Sequence, residues 1–143
     1  MTSPSHVRAE LLGEHFQLRG MIEELRALLT ASHVAPGKLG ETLERFASAL
    51  FAHSQHEQDA LRVILEKIGE RAKQRNAVMD EAHVAEHTRL VTVVREANAE
   101  SNAAARRRRV EAVLVELEAH MAEEEGVLLA EDLFDDAPGD QAN

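Results

Sequence analysis

Apolar residues return every three or four positions along nearly the whole chain, and that rhythm admits only one kind of regular structure. A helix brings residues three and four apart onto one face, whereas a strand needs alternation at every second position. Four segments carry the pattern. Leu11, Leu18, Ile22, Leu25 and Leu29 mark helix 1, expected to start after Ser3-Pro4 or Ser5 and to stop before Ala35-Pro36-Gly37. Helix 2 carries Leu39, Phe46, Leu50, Leu61, Ile64 and Ile68 and weakens at Gly69. The polar stretch ERAKQRN follows, as a short connection or a continued helical turn. Helix 3 runs from about Asn76 through Val78, Leu90, Val93 and Val94 to about Ala99, with a new cap at Ser101 or Asn102. Helix 4 uses Val110, Val113, Leu114, Leu117, Val127 and Leu128. Short connections can only return the chain beside its predecessor, so the expected architecture is all-α, an up-down-up-down antiparallel four-helix bundle.

Length and composition narrow the rest. A chain of 143 residues with 44% hydrophobic content makes one domain, taken as residues 1–134, followed by a disordered acidic tail over 135–143. Only three prolines and seven glycines interrupt a sequence rich in strong helix formers. A formal charge of −10 repels phosphate backbones and anionic membranes, so nucleic acid is not an expected partner. No cysteine is present, which removes disulfides, thiolate catalysis and thiolate metal sites. The N-terminal stretch lacks the apolar core of a signal peptide and no run is long enough to span a bilayer, so a soluble cytoplasmic protein is expected.

What the helical pattern does not explain is a set of polar residues placed where a bundle wants leucine. His53 and Glu57, His83 and His87, and His120 and Glu124 are each four residues apart, so each pair shares one helix face. Those faces are the apolar ones: His15 is in phase with Leu11, Leu18 and Ile22, His53 with Phe46 and Leu50, His87 with Leu90 and Val94, His120 with Val113 and Leu117. At about 1.5 Å of rise per residue, the seven groups fall roughly 20 to 31 Å below the end that holds the helix 1–2 and helix 3–4 loops. They form one layer. A single buried histidine is ordinarily a hydrogen-bonded core residue, but five imidazoles and two carboxylates buried together would each cost several kcal/mol unpaired. A bound cation removes that difficulty.

Ligand number and softness then narrow the metal. Zinc prefers four ligands and calcium or magnesium an all-oxygen shell, whereas a mixed nitrogen and oxygen set this large suits two first-row transition ions, iron above all. Two six-coordinate irons need about twelve positions, of which five imidazoles, two bridging carboxylates and one bridging oxo or hydroxo group fill about eleven. His6, His33 and His56 fall outside the set, the last rotated by about 100° from Glu57. The run of arginines at 106–109 opposes the dipole at the start of helix 4. It reads as an ion-pair cluster with Glu41, Glu44, Glu96 and Glu100, or else as a docking patch for an acidic partner.

The ordered pattern His15, His53 to Glu57, His83 to His87 and His120 to Glu124 resembles the hemerythrin-like, or HHE cation-binding, family of non-haem di-iron four-helix bundles, over about residues 7–130. The resemblance implies that His15, His53, His83, His87 and His120 are terminal nitrogen ligands and that Glu57 and a helix 4 carboxylate bridge two irons. Helix spacing favours Glu124 for that carboxylate, with Glu125 as the alternative, since oxygen-carrying members end in HxxxxD. Relatives tend to carry one histidine on helix 3, which makes His83 the more dispensable of its pair. A histidine-rich, carboxylate-poor centre favours reversible binding of a small diatomic, O2 or NO, for carriage, storage or sensing. The rival readings are an enzyme that decomposes peroxide or reduces nitric oxide, an iron store or iron sensor, and a metal-free helical adaptor that uses the arginines.

Overall fold

The computed structural model describes residues 3–68 and 81–127 of the chain. Four helices account for almost all of them: α1 (Pro4–Thr30), α2 (Lys38–Ile68), α3 (Glu81–Ala99) and α4 (Ala103–Val127). The ERAKQRN stretch, the start of helix 3 near Asn76, Leu128 and the 135–143 tail lie outside the described residues.

Caps set the helix ends. Ser3, in extended conformation, accepts a hydrogen bond from the His6 amide at the start of α1, and Pro4 occupies a first-turn position that has no amide partner to lose. Helix α1 stops at Thr30, earlier than the Ala35-Pro36-Gly37 breaker demands. The Thr30 hydroxyl donates to the carbonyls of Arg26 and Ala27, both at 3.2 Å, and Ala31 turns to extended backbone behind it. Gly37 then takes a φ of 81°, a region that disfavours side chains, and turns the chain into α2. Asn102 caps α4 by accepting from the Ala105 amide at 2.9 Å.

The helices pack in cyclic order, α1 on α2, α2 on α3, α3 on α4, and α4 back on α1. Cross-helix partners run in opposite directions along every neighbouring pair. On α1 and α4, for example, Arg19 meets Glu125 and Arg26 meets Glu118. On α2 and α3, Asn98 reaches the Gly40 carbonyl at one end and Gln58 reaches His87 toward the other. This is the antiparallel four-helix bundle.

One continuous apolar core fills the half of the bundle nearest the α1–α2 and α3–α4 connections, from Leu18 to Leu29 on α1 and from Val110 to Met121 on α4. Every apolar residue expected on the inner stripe of α1 is buried, and so are Phe46, Leu50, Leu90, Val94, Val110, Val113, Leu114 and Leu117. Phe46 is the largest of the fully buried side chains. Phe46→Ala is expected to cost about 3–5 kcal/mol of unfolding free energy, measurable by urea titration, because the close-packed core around it cannot fully collapse into the cavity. A cost under about 1 kcal/mol would mean that the core is not packed this way.

The arginine run divides its attention. Arg109 pairs with Glu100 at 3.6 Å, Arg107 with Glu111 on its own helix at 3.2 Å, and Arg106 reaches the Asn98 side chain. Glu44 pairs with Arg95 instead. Arg106 and Asn98 lie so close to Gly40 that a Cβ there would sit 3.0 Å and 3.3 Å from them, so a glycine is what lets α2 approach this corner. The ion pairs lie at the surface and are worth about 0–1 kcal/mol each, whereas Arg106 and Asn98 are partly buried.

Candidate metal centre

Below the apolar core the inner stripe of each helix changes chemistry. Helix α1 contributes His15, α2 contributes His53 and Glu57, α3 contributes His83 and His87, and α4 contributes His120 and Glu124. The four-residue spacing keeps each pair on the face that the leucines above it define. His15 and Glu57 have no exposed surface at all, and His53, His87 and Glu124 are also buried, with His83 and His120 at the edge of burial.

These side chains converge into two groups of potential metal-holding atoms: His83, His87, His120 and Glu124 in one, His15, His53, Glu57 and Glu124 in the other. Within each group every donor atom lies within 4.8 Å of the others. Glu124 belongs to both. Its Oε2 lies 3.0 Å from His83 Nε2, 2.8 Å from His87 Nε2 and 3.0 Å from His120 Nε2, and its Oε1 lies 3.1 Å from His15 Nε2. Glu57 spans the two groups in the same manner. Its Oε2 faces His15 at 3.7 Å and His53 at 3.3 Å, and its Oε1 faces His83 at 3.5 Å and His87 at 3.3 Å. All five rings enter through Nε2, and His15 and His53 bring those nitrogens within 3.1 Å of each other.

The donor set fits a cation pair on its own polar accounting. Both Glu57 oxygens and His120 Nε2 are buried without a hydrogen bond, and an uncompensated buried carboxylate costs several kcal/mol. Two imidazole nitrogens facing one another cannot both be bare unless something positive lies between them. In the metal-free chain protons take that role. Burial works against a charged His15 ring, but Glu124, Glu57 and Glu125 outweigh it and push its pKa up to about 10. His83 is pushed up to about 9, where burial is again outweighed, by Glu124 and Glu57. Burial would raise the Glu124 carboxyl, yet the facing imidazoles of His120, His15 and His83 outweigh it and hold it well below 4.5.

Glu125 does not enter the centre. It is rotated toward α1, where it accepts from His15 Nδ1 at 2.7 Å and from Arg19 at 2.7 and 3.0 Å. His56 stands outside as well, half-buried, with Nδ1 2.6 Å from Glu14. His6 pairs with Glu10 at the surface. Glu14, Arg19 and Gln58 surround the centre without having been singled out by the sequence reading. Each sits on the outer flank of a helix, and its partner is on another helix, so periodicity within one helix carries no signal for it.

Among the described residues no helix is long and apolar enough to cross a membrane. Over residues 6–131 the chain matches the family described as Hemerythrin HHE cation binding domain. It has no match among curated proteins or among solved structures.

Proposed function

The chain belongs to the hemerythrin HHE cation-binding family, and on that premise we propose that it holds two iron ions, with an oxo or hydroxo bridge, and reversibly binds O2 or a related small ligand such as NO. The ligands in this reading are His15, His53, His83, His87, His120, Glu57 and Glu124. The observation that carries it is the sharing of both buried carboxylates between a two-histidine group and a three-histidine group.

His83, His87 and His120 would hold one ion and His15 and His53 the other, with Glu57 and Glu124 shared between them, so the two-histidine half has fewer protein donors and would be the side with room for a small ligand. An iron pair would supply there an electron-rich site for a diatomic. The protein's part is to hold Glu57 and Glu124 between the rings and to close the upper side of the centre with the apolar core. A groove between α1 and α2 reaches His53 past Leu18, Met21, Ala49 and Ala52, with Glu14, Gln17 and His56 in its lining. Its aliphatic walls suit a small neutral ligand. The chain also has no tyrosine or tryptophan, the commonest side-chain relays for radical chemistry, which favours binding over oxidation of a bound substrate.

The test is a metal analysis with spectra taken in and out of air. Iron near two per chain, with a charge-transfer band that appears in air and reverses under vacuum, is the expected outcome. Rapid gas evolution from peroxide, or NO consumed catalytically, would move the assignment to an enzyme. Iron taken up well beyond two per chain would make it a store.

A further inference from the structure

Three of the rings, His15, His53 and His87, also have a partner at Nδ1, on the side away from the centre. His15 Nδ1 lies 2.7 Å from a Glu125 oxygen, and Glu125 is itself gripped by both terminal nitrogens of Arg19. His53 Nδ1 lies 2.6 Å from Glu14 Oε1, and the other oxygen of Glu14 is 2.6 Å from His56 Nδ1. Both rings of the two-histidine group are thus backed by carboxylates that come from helices other than their own. In the three-histidine group, His87 Nδ1 instead meets the neutral amide of Gln58, at 3.4 Å.

We propose that Glu125 and Glu14 are positioning residues which, acting through His15 and His53, hold the metal at the two-histidine half of the centre. Each accepts the Nδ1–H of its ring, which leaves the Nε2 lone pair turned toward Glu57 and Glu124 and fixes the ring's rotation. Each also places a negative charge against the ring and makes it a stronger electron donor. The half with fewer imidazoles thereby gains donor strength that it lacks in number. Arg19 and His56 keep the two carboxylates aimed: Arg19 by a two-point grip on Glu125, His56 by occupying the second oxygen of Glu14. Glu125 has no oxygen left for the centre, which separates it from Glu124 one position earlier.

This inference rests on the two-metal reading above, and the experiment tells their failures apart. Cobalt(II) is titrated anaerobically into the full chain against a competing chelator, with visible absorption reporting each equivalent. The wild type is expected to take two, and His53→Ala identifies which of them belongs to the two-histidine half. Glu125→Ala and Glu14→Ala should each weaken that same equivalent by about 10- to 100-fold and leave the other unchanged. Glu125→Gln, which keeps an acceptor but loses the charge, should fall between Ala and wild type, and Arg19→Gln should shift the same equivalent in the same direction. Helicity of each metal-free variant is followed by circular dichroism. Should an alanine variant fail to fold, Glu125→Gln and Glu14→Gln carry the same comparison. A purely structural role would lower the melting temperature and leave the gap between the two equivalents as it was. Equal weakening of both equivalents, or of neither, overturns the proposal; a wild type that takes fewer than two overturns the two-metal reading itself.

Discussion

Glu124→Ala is expected to empty both halves of the centre at once, lowering bound metal from about two per chain to nearly none in an atomic-emission assay of protein reconstituted under argon. The reason is geometric. One oxygen of Glu124 lies among His83, His87 and His120 and the other against His15, so its removal takes an anionic donor from each group. His120→Ala touches only the three-histidine group and is expected to lose about one equivalent, with the second weakened but present. The alanine at 124 also deprives His15 and His83 of a charge partner. Breaking a buried pair on one side costs about 3–5 kcal/mol, so the metal-free variant should melt well below the metal-free wild type. An E124A protein that still carries two metals would place the bridging carboxylate elsewhere, with Glu125 the first candidate.

The stability that metal adds should grow with pH over the range in which the metal-free chain loses stability. In the metal-free chain His15 and His83 have pKa values pushed from 6.5 up to about 10 and about 9, and His53 is raised as well, with burial outweighed in each case by the facing carboxylates. A raised imidazole contributes its full stability below 6.5 and loses it as pH climbs through the folded value. Glu57 and Glu124 are lowered from 4.5, against the effect of burial, so what they contribute is present above 4.5 and lost on acidification. The metal-free protein should therefore be most stable between 4.5 and 6.5 and lose stability steadily toward pH 9 to 10. Metal displaces those protons, so its own stabilisation grows with pH over the same window. At a free metal concentration about a thousand times Kd the gain is about 4 kcal/mol for each ion bound, which raises the melting temperature on the order of 10 °C per ion. Thermal melts at pH 6, 7.5 and 9 with and without zinc or iron(II) check this. A metal-free melting temperature that rises over that series, or a metal-induced shift that ignores pH, contradicts the arrangement of protons described here.

How much of this was legible in the residues follows from the range of each interaction. Leu11, Leu18, Ile22, Leu25 and Leu29 announce the buried face of α1 because residues on one helix face are related by a fixed local geometry. His53 and Glu57, or His120 and Glu124, announce themselves in the same way, as polar residues standing in that register. Even the common depth of the four helices can be counted along the chain, because rise per residue is constant. The stop of α1 at Thr30 was not legible: Ala31 turns to extended backbone five residues ahead of the proline that marks the break in the sequence.

The sequence by itself determined that four amphipathic helices form, that they run antiparallel, and that seven imidazole and carboxylate groups share one inward layer. Local periodicity and short connections suffice for all of that. Only the tertiary structure decided how the layer divides, with His15 and His53 on one side, His83, His87 and His120 on the other, and both carboxylates between them. It alone also turned Glu125 outward to Arg19 and brought Glu14 to His53. Those contacts join residues on different helices, and their geometry depends on how each helix is rotated against its neighbour, a quantity set by the packing of the whole core and written in no single segment.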